Sequence, residues 1–120
     1  MATHNELGTE GEALAVAELK RKGYSIVAEN WRSGKNELDI VARIGNTMVF
    51  VEVKTRSTSF FGDPSLAVSS AKQKRIITAA NDYLMKHGID LEARFDVVSI
   101  VSSPKTTVID HMEDAFYPFA

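Results

Sequence analysis

The sequence predicts an α/β domain of element order α-β-β-β-α-β, with a mixed central sheet flanked by helices. Three observations predict it: two segments of helical period near 5–22 and 65–86, a pair of short β-rich runs separated by Gly45-Asn46, and further β-rich runs before and after. A chain of 120 residues fits one domain, residues 1–120. Its 44% hydrophobic and 25% charged content excludes a disordered chain and supplies one core.

In the first segment Leu7, Leu14, Ala15, Ala17 and Leu19 recur near helical spacing, and Gly23 follows as a stop signal. A strand over 25–32 carries Ile26, Val27 and Trp31 and ends at the turn Ser33-Gly34-Lys35-Asn36. The runs 38–43 and 48–54 flank Gly45-Asn46, a two-residue hairpin signal in which glycine supplies positive φ. With those two residues as the loop, Ile44 pairs with Thr47, and Asp39 falls opposite Glu52. Pro64 suits the entrance of the second helix, whose apolar set is Leu66, Ala67, Ile76, Ala79, Ala80, Tyr83 and Leu84, with Gly88 as its C-cap. A strand over 94–101 follows, then a short strand candidate at 107–111 and an aromatic tail through Phe116, Tyr117 and Phe119. The tail either covers the sheet or seeds a homodimer; self-packing is the favoured outcome.

Cysteine is absent, which excludes disulfides, thiolate nucleophiles and Cys-based zinc sites. No apolar run approaches the roughly 18 residues that span a bilayer, and the polar N-terminus lacks an apolar signal region. A cytoplasmic protein with no membrane partner is expected. The net charge of −2 argues weakly against nucleic acid. Its distribution differs: residues 20–75 hold eleven Lys/Arg against five Asp/Glu. Charge alone still favours an ordinary solvated surface.

The hairpin carries the chemistry. Strand side chains alternate, so Glu52 and Lys54 share a face, and the register adds Asp39 to it. Opposed Cβ atoms lie roughly 4.5–5.5 Å apart. Two carboxylates that close raise each other's cost of ionisation, and a hard divalent cation relieves it. Lys54 adds a positive charge able to orient water or stabilise charge developing on phosphorus. The other face, Leu38, Ile40, Ala42, Val49, Val51 and Val53, is apolar and fixes the register. Met48 and Phe50 partly cover the charged face, so the acids are expected to be semi-buried. A cross-strand salt bridge on a solvated face is the competing explanation. Glu12 weighs against it, sharing a helical face with Ala15, Val16 and Leu19, where a carboxylate needs a partner.

Asp39, a hairpin and Glu52-Val53-Lys54 resemble the PD-(D/E)xK nuclease superfamily, whose restriction-endonuclease-like core runs α-β-β-β-α-β. The series Asn5-Glu6-Leu7-Gly8, Gly11-Glu12, Gly23-Tyr24, Asn30-Trp31-Arg32, Glu37 through Ala42, Phe50 through Arg56, Phe95 through Val98 and Asp114-Ala115-Phe116 resembles the YraN-like family within it, over almost the whole chain. The resemblance implies Mg²⁺ or Mn²⁺ on Asp39, Glu52 and the Val53 carbonyl, with Lys54 as catalytic lysine. It also implies that Glu12 acts through a metal-bound water, as the first-helix acid of archaeal Holliday-junction resolvases does. Gln73 matches a glutamine that several nuclease branches place near the site.

Arg32, Lys35, Arg56, Lys72, Lys74 and Arg75 are candidate phosphate contacts, which position a duplex without reading its sequence. For Lys20-Arg21-Lys22 a helix-end role is equally apt. Phe60-Phe61 either stack on bases or anchor their loop. His4, His87 and His111 lack metal-ligand spacing and are expected at the surface, while Trp31, Tyr83 and Phe95 are expected in the core. No phosphate-binding glycine loop is present, which argues against an NTPase. The leading function is a metal-dependent endonuclease on DNA, branched or single-stranded, structure-selective or non-specific. The alternatives are a non-catalytic nucleic-acid-binding module on the same fold and a protein-interaction domain.

Overall fold

The computed structural model describes residues 4–56 and 68–118, with side chains from residue 8 onward. The expected Phe60-Phe61 loop, the Pro64 helix entrance, Leu66, Ala67 and Phe119 lie outside the described residues. The elements are α1 (His4–Arg21), β1 (Ser25–Ser33), β2 (Asn36–Ile44), β3 (Thr47–Arg56), α2 (Ser70–Lys86), β4 (Glu92–Ser102) and β5 (Thr107–Phe116). This is the expected order, with the terminal strand longer than the 107–111 read from the sequence and α2 beginning at Ser70, not near 65, because Ser69 is extended and caps it. The strands form one sheet in the order β1-β2-β3-β4-β5. Only β3 and β4 pair in parallel, and α2 is their crossover.

Local chemistry accounts for the boundaries. After α1, Gly23 adopts φ 94° and its amide bonds the Lys20 carbonyl, while Tyr24 N–H returns to Leu19 at 2.9 Å. The same paired closure ends α2, where Gly88 has φ 61° and its amide bonds Met85, and Ile89 N–H bonds Leu84. Gly88 therefore lies one residue past the cap, which is His87. At the other end of α2, the Ser69 hydroxyl caps the helix by accepting from Lys72 N–H at 3.2 Å. Gly45 takes φ 57° in the β2–β3 turn, and the pairs run from Ile44 with Thr47 to Ile40 with Val51, the predicted register.

Helices cover both faces of the sheet. On one, Val41, Met48, Phe50, Phe95 and Val97 pack with Ile76, Ala79, Ala80 and Tyr83 of α2. On the other, Ile40, Ala42, Val49, Val51, Val98 and Ile100 pack with Ala15 and Leu19 of α1. Three expectations need correction. Leu38 joins Val41 and Phe50 on the α2 side, not Ile40. The reason is a break in β2 at Asp39: the ladder to β3 stops at Ile40, and Asp39 Oδ2 accepts from Val53 N–H at 2.9 Å in place of a backbone partner. Leu14 points largely to solvent, on the flank of α1 away from Ala15 and Leu19. Val27 is exposed because a bulge interrupts the β1–β2 pairing between Ile26 and Ala28.

His111 is a fourth correction, for its side chain is only 3% exposed. Nε2 lies 2.7 Å from Asp96 Oδ2, and Lys22 Nζ lies 2.7 Å from Nδ1. An ammonium only donates, so Nδ1 accepts and the ring proton faces Asp96. Asp96 is fully buried and also receives both Arg94 nitrogens at 2.9 Å and the Asp114 amide at 3.0 Å. Burial opposes its ionisation, but the bonds from His111, Arg94 and Asp114 prevail and hold the carboxyl below its ordinary value. Arg94 and Glu113 both reach the Tyr24 hydroxyl, so the network ties the end of α1 to β4 and β5. The aromatic tail packs on its own sheet through Phe116, stacked on Phe95 at 5.3 Å, while Tyr117 stays exposed.

Gly11 sets how closely α1 approaches β3. A Cβ there would overlap the Thr55 hydroxyl and press on Thr55 Cβ and Cγ2 at 3.1 Å. Gly11→Val is therefore expected to destabilise the fold by about 1–3 kcal/mol, the usual cost of overpacking. Thermal unfolding of the variant beside Gly11→Ala/Thr55→Gly, which removes all three close contacts, checks this. Asp96→Ala leaves Arg94 without its buried partner and is expected to cost about 3 kcal/mol in urea unfolding. A loss below about 1 kcal/mol would contradict a structural role for the network.

Candidate active site

Four elements meet where β2 and β3 part. Glu12 and Gly8 of α1, Asp39 of β2, Glu52, Val53, Lys54 and Thr55 of β3, and Lys72 of α2 line one cavity of about 250 Å³. A second cavity of about 270 Å³ shares Asp39, Glu52 and Lys72 and adds Lys35, Glu37, Arg75 and Ile76. The structure thus brings together all four residues expected to be catalytic, Glu12, Asp39, Glu52 and Lys54, in a single cleft.

Glu52 is 5% exposed, more deeply buried than expected, because it continues the face of Met48 and Phe50 beneath α2. Burial, the hydrogen-bonded contact with the Asp39 carboxyl and the Asp39 charge push its pKa up to about 8, against the downward pull of Lys72. Lys72 Nζ lies 3.2 Å from Glu52 Oε1. The Val53 amide fixes the Asp39 carboxyl. Glu12 is also raised, first by burial and then by the charges of Asp39, Glu37 and Glu29, while the Asn30 side chain donates to it and lowers it.

Among the described residues no group of three His, Asp or Glu side chains is disposed to cage a metal ion. Two touching carboxylates nevertheless fit Mg²⁺, which is commonly held through one or two carboxylates and keeps several waters. Asp39 and Glu52 would be the donors, and relief of the strain between two carboxyls in contact would favour binding.

The expected phosphate contacts divide. Lys35, Lys72 and Arg75 line the second cavity. Arg32 pairs across the strands with Glu37 at 3.0 Å. Gln73 donates its amide to the Val68 carbonyl at 3.0 Å, inside the entry of its own helix, and lines neither cavity. Arg56 lies at the end of β3, two residues beyond Lys54. Lys74 is exposed on α2. Of the first-helix trio, Arg21 pairs with Glu18 and Lys22 with His111 and Glu113, the helix-end role. No described helix is long and apolar enough to cross a membrane.

Asn30 is the residue sequence reasoning missed. It has φ 51°, a left-handed backbone inside a strand, between the paired Glu29 and Trp31 and across from Asp39. Asparagine tolerates that conformation but is depleted in strands, and this was the readable signal. The kink aims its amide at Glu12.

This five-stranded sheet with its two helices is a restriction-endonuclease-like core, the fold of a class of nucleases. Its backbone is similar to a Holliday junction resolvase, Hjc of Archaeoglobus fulgidus. The TM-score is 0.53 at 19% identity, covering 88% of this chain and 75% of that one. The chain belongs to the family described as "Uncharacterised protein family UPF0102", the YraN family, whose model matches residues 11–100. Its relatives include UPF0102 proteins of Phocaeicola vulgatus, 49% identical over 98% of both chains, and of Geobacter metallireducens, 49% identical over 97% of both.

The raised Glu52 value has a consequence for stability. A carboxyl whose folded pKa exceeds its unfolded value of 4.5 contributes fully below that value and loses its contribution as pH rises through about 8. Metal-free wild type is therefore expected to lose stability over this window, where even one pH unit of displacement is worth about 1.4 kcal/mol. Glu52→Gln keeps the shape without the charge and is expected to flatten the profile. Melting curves of both proteins across the window in chelator check this.

Proposed function

We propose that this protein is a divalent-metal-dependent endonuclease that hydrolyses phosphodiester bonds in DNA. The observation that carries the proposal is the buried contact of Asp39 and Glu52, with Lys54 and Glu12 lining the same cleft. Asp39, Glu52 and the Val53 carbonyl would hold Mg²⁺ or Mn²⁺, and the bound ion would supply an acidified water and neutralise the phosphate. Asp39 is oriented for this by the Val53 amide. Lys54 places its ammonium beside the scissile phosphate and stabilises the negative charge that grows there. Glu12, held by Asn30, accepts a hydrogen bond from the attacking water and orients it.

DNA is the favoured substrate because Lys35, Lys72 and Arg75 lie immediately beside the acids, where the neighbouring phosphates of a strand would run. Among the described residues no helix or ribbon is disposed to read bases. The resolvase-like backbone adds support for branched DNA as the preferred form.

Purified protein with Mg²⁺ or Mn²⁺ is expected to cut within a panel of four-way junctions, flaps, single strands and duplexes, and chelator is expected to stop it. Asp39→Ala and Lys54→Ala are expected to lower the rate by about 100-fold or more. Cleavage that persists undiminished in both variants, or is absent from the whole panel, overturns the proposal.

A further inference from the structure

The geometry points to Lys72 as a resident counter-cation of the acid pair, one that a divalent ion must displace and that then turns to a DNA phosphate. This rests on the nuclease reading above and adds a coupling between metal and DNA.

Lys72 stands in the first turn of α2, where its backbone N–H is already committed to the Ser69 cap. That turn contains no acid, and Lys74 and Arg75 follow immediately. Cations at the positive end of a helix are disfavoured unless an anion faces them. For Lys72 the facing anion is the Glu52–Asp39 pair: Glu52 Oε1 lies at 3.2 Å and its side chain is 5% exposed, while the lysine side chain itself is 44% exposed. One partner is therefore fixed inside the protein, and the other is a flexible four-carbon stem with an open route to solvent.

A divalent ion and an ammonium cannot both occupy the same carboxylate oxygens at close range, because like charges a few ångströms apart repel strongly in a partly dry site. Binding a divalent ion at Asp39 and Glu52 evicts Lys72. Lys72 also lines the adjoining cavity, together with Lys35 and Arg75. Once the acids are neutralised, that cavity presents, among the described residues, three cations against Glu37, a surface suited to a phosphodiester backbone. Metal should therefore tighten DNA binding, and by linkage DNA should tighten metal binding to the same degree.

The test is calorimetric titration of Mn²⁺ into wild type, Lys72→Met, Lys72→Gln and Lys74→Met, without DNA. Lys74 is the control, a charge on the same helix that lines neither cavity. Losing the competing ammonium is expected to tighten Mn²⁺ about tenfold in both Lys72 variants, the scale of one charged hydrogen bond, and to leave Lys74→Met near wild type. In a Lys54→Ala background, anisotropy of a labelled four-way junction is expected to show Mn²⁺ tightening DNA binding, and Lys72→Met removing most of that gain. Mn²⁺ binding that the Lys72 substitutions leave unchanged or weaken overturns this inference alone. An equal gain in Lys74→Met overturns it in favour of general charge. Absence of Mn²⁺ binding from every protein overturns it together with the proposed function.

Discussion

Two carboxylates pressed together under a helix are the constraint around which this domain is arranged. Glu52 and Asp39 come from neighbouring strands, and the burial of Glu52 removes much of the water that would screen the pair. A soluble domain ordinarily places such groups outside or pairs them. Here the pairing is incomplete: Lys72 reaches Glu52 from a half-exposed position, and the Val53 amide holds Asp39. An arrangement that costs stability in the free protein and would relax if a cation bound is typical of a binding site, not of a stabilising salt bridge.

The architecture makes that tension sustainable. β3 lies between an antiparallel neighbour and a parallel one and is covered by a helix on each side. β4 pairs with it along its whole length, from Thr47 to Arg56, and so fixes Glu52, Val53 and Lys54 relative to one another. Beside the cleft the strands are irregular at two points, where Asn30 is kinked and Asp39 leaves its ladder. Those two departures from regular strand geometry turn polar groups toward the cleft. Gly11 allows α1 to lie against Thr55, which brings Glu12 to the same opening.

The hairpin was legible because Gly45-Asn46 and the alternation on either side admit only one register, and with the register came the acids and Lys54. Helix ends were legible through Gly23 and Gly88. What escaped depends on contacts between residues distant in the chain. The burial of His111 follows from Asp96 and Lys22, which no local pattern connects to it. Leu38 changed faces because a side chain, not a backbone group, took the Val53 amide, and period-two reasoning assumes an unbroken ladder. Lys72 read as one more surface base, since nothing in the sequence shows that the turn carrying it lies over Glu52. Gln73 failed as a site residue for the opposite reason, its amide being used within its own helix entry.

Net charge is a poor guide here for a physical reason. The acids of the C-terminal third include Asp96 and Glu113, which the cations Arg94 and Lys22 already neutralise within the protein. They contribute little field at the cleft. The cations beside the acid pair, Lys35, Lys72 and Arg75, share their cavity, among the described residues, with the acids Glu37, Asp39 and Glu52, and two of those three are the groups a divalent ion would take up. The field that an approaching phosphate meets is thus set by whether Asp39 and Glu52 are neutralised. An overall negative chain can present a locally positive groove on that condition, and electrostatic attraction to a polyanion would then depend on the same event that, in the proposed function, would prepare the site for hydrolysis.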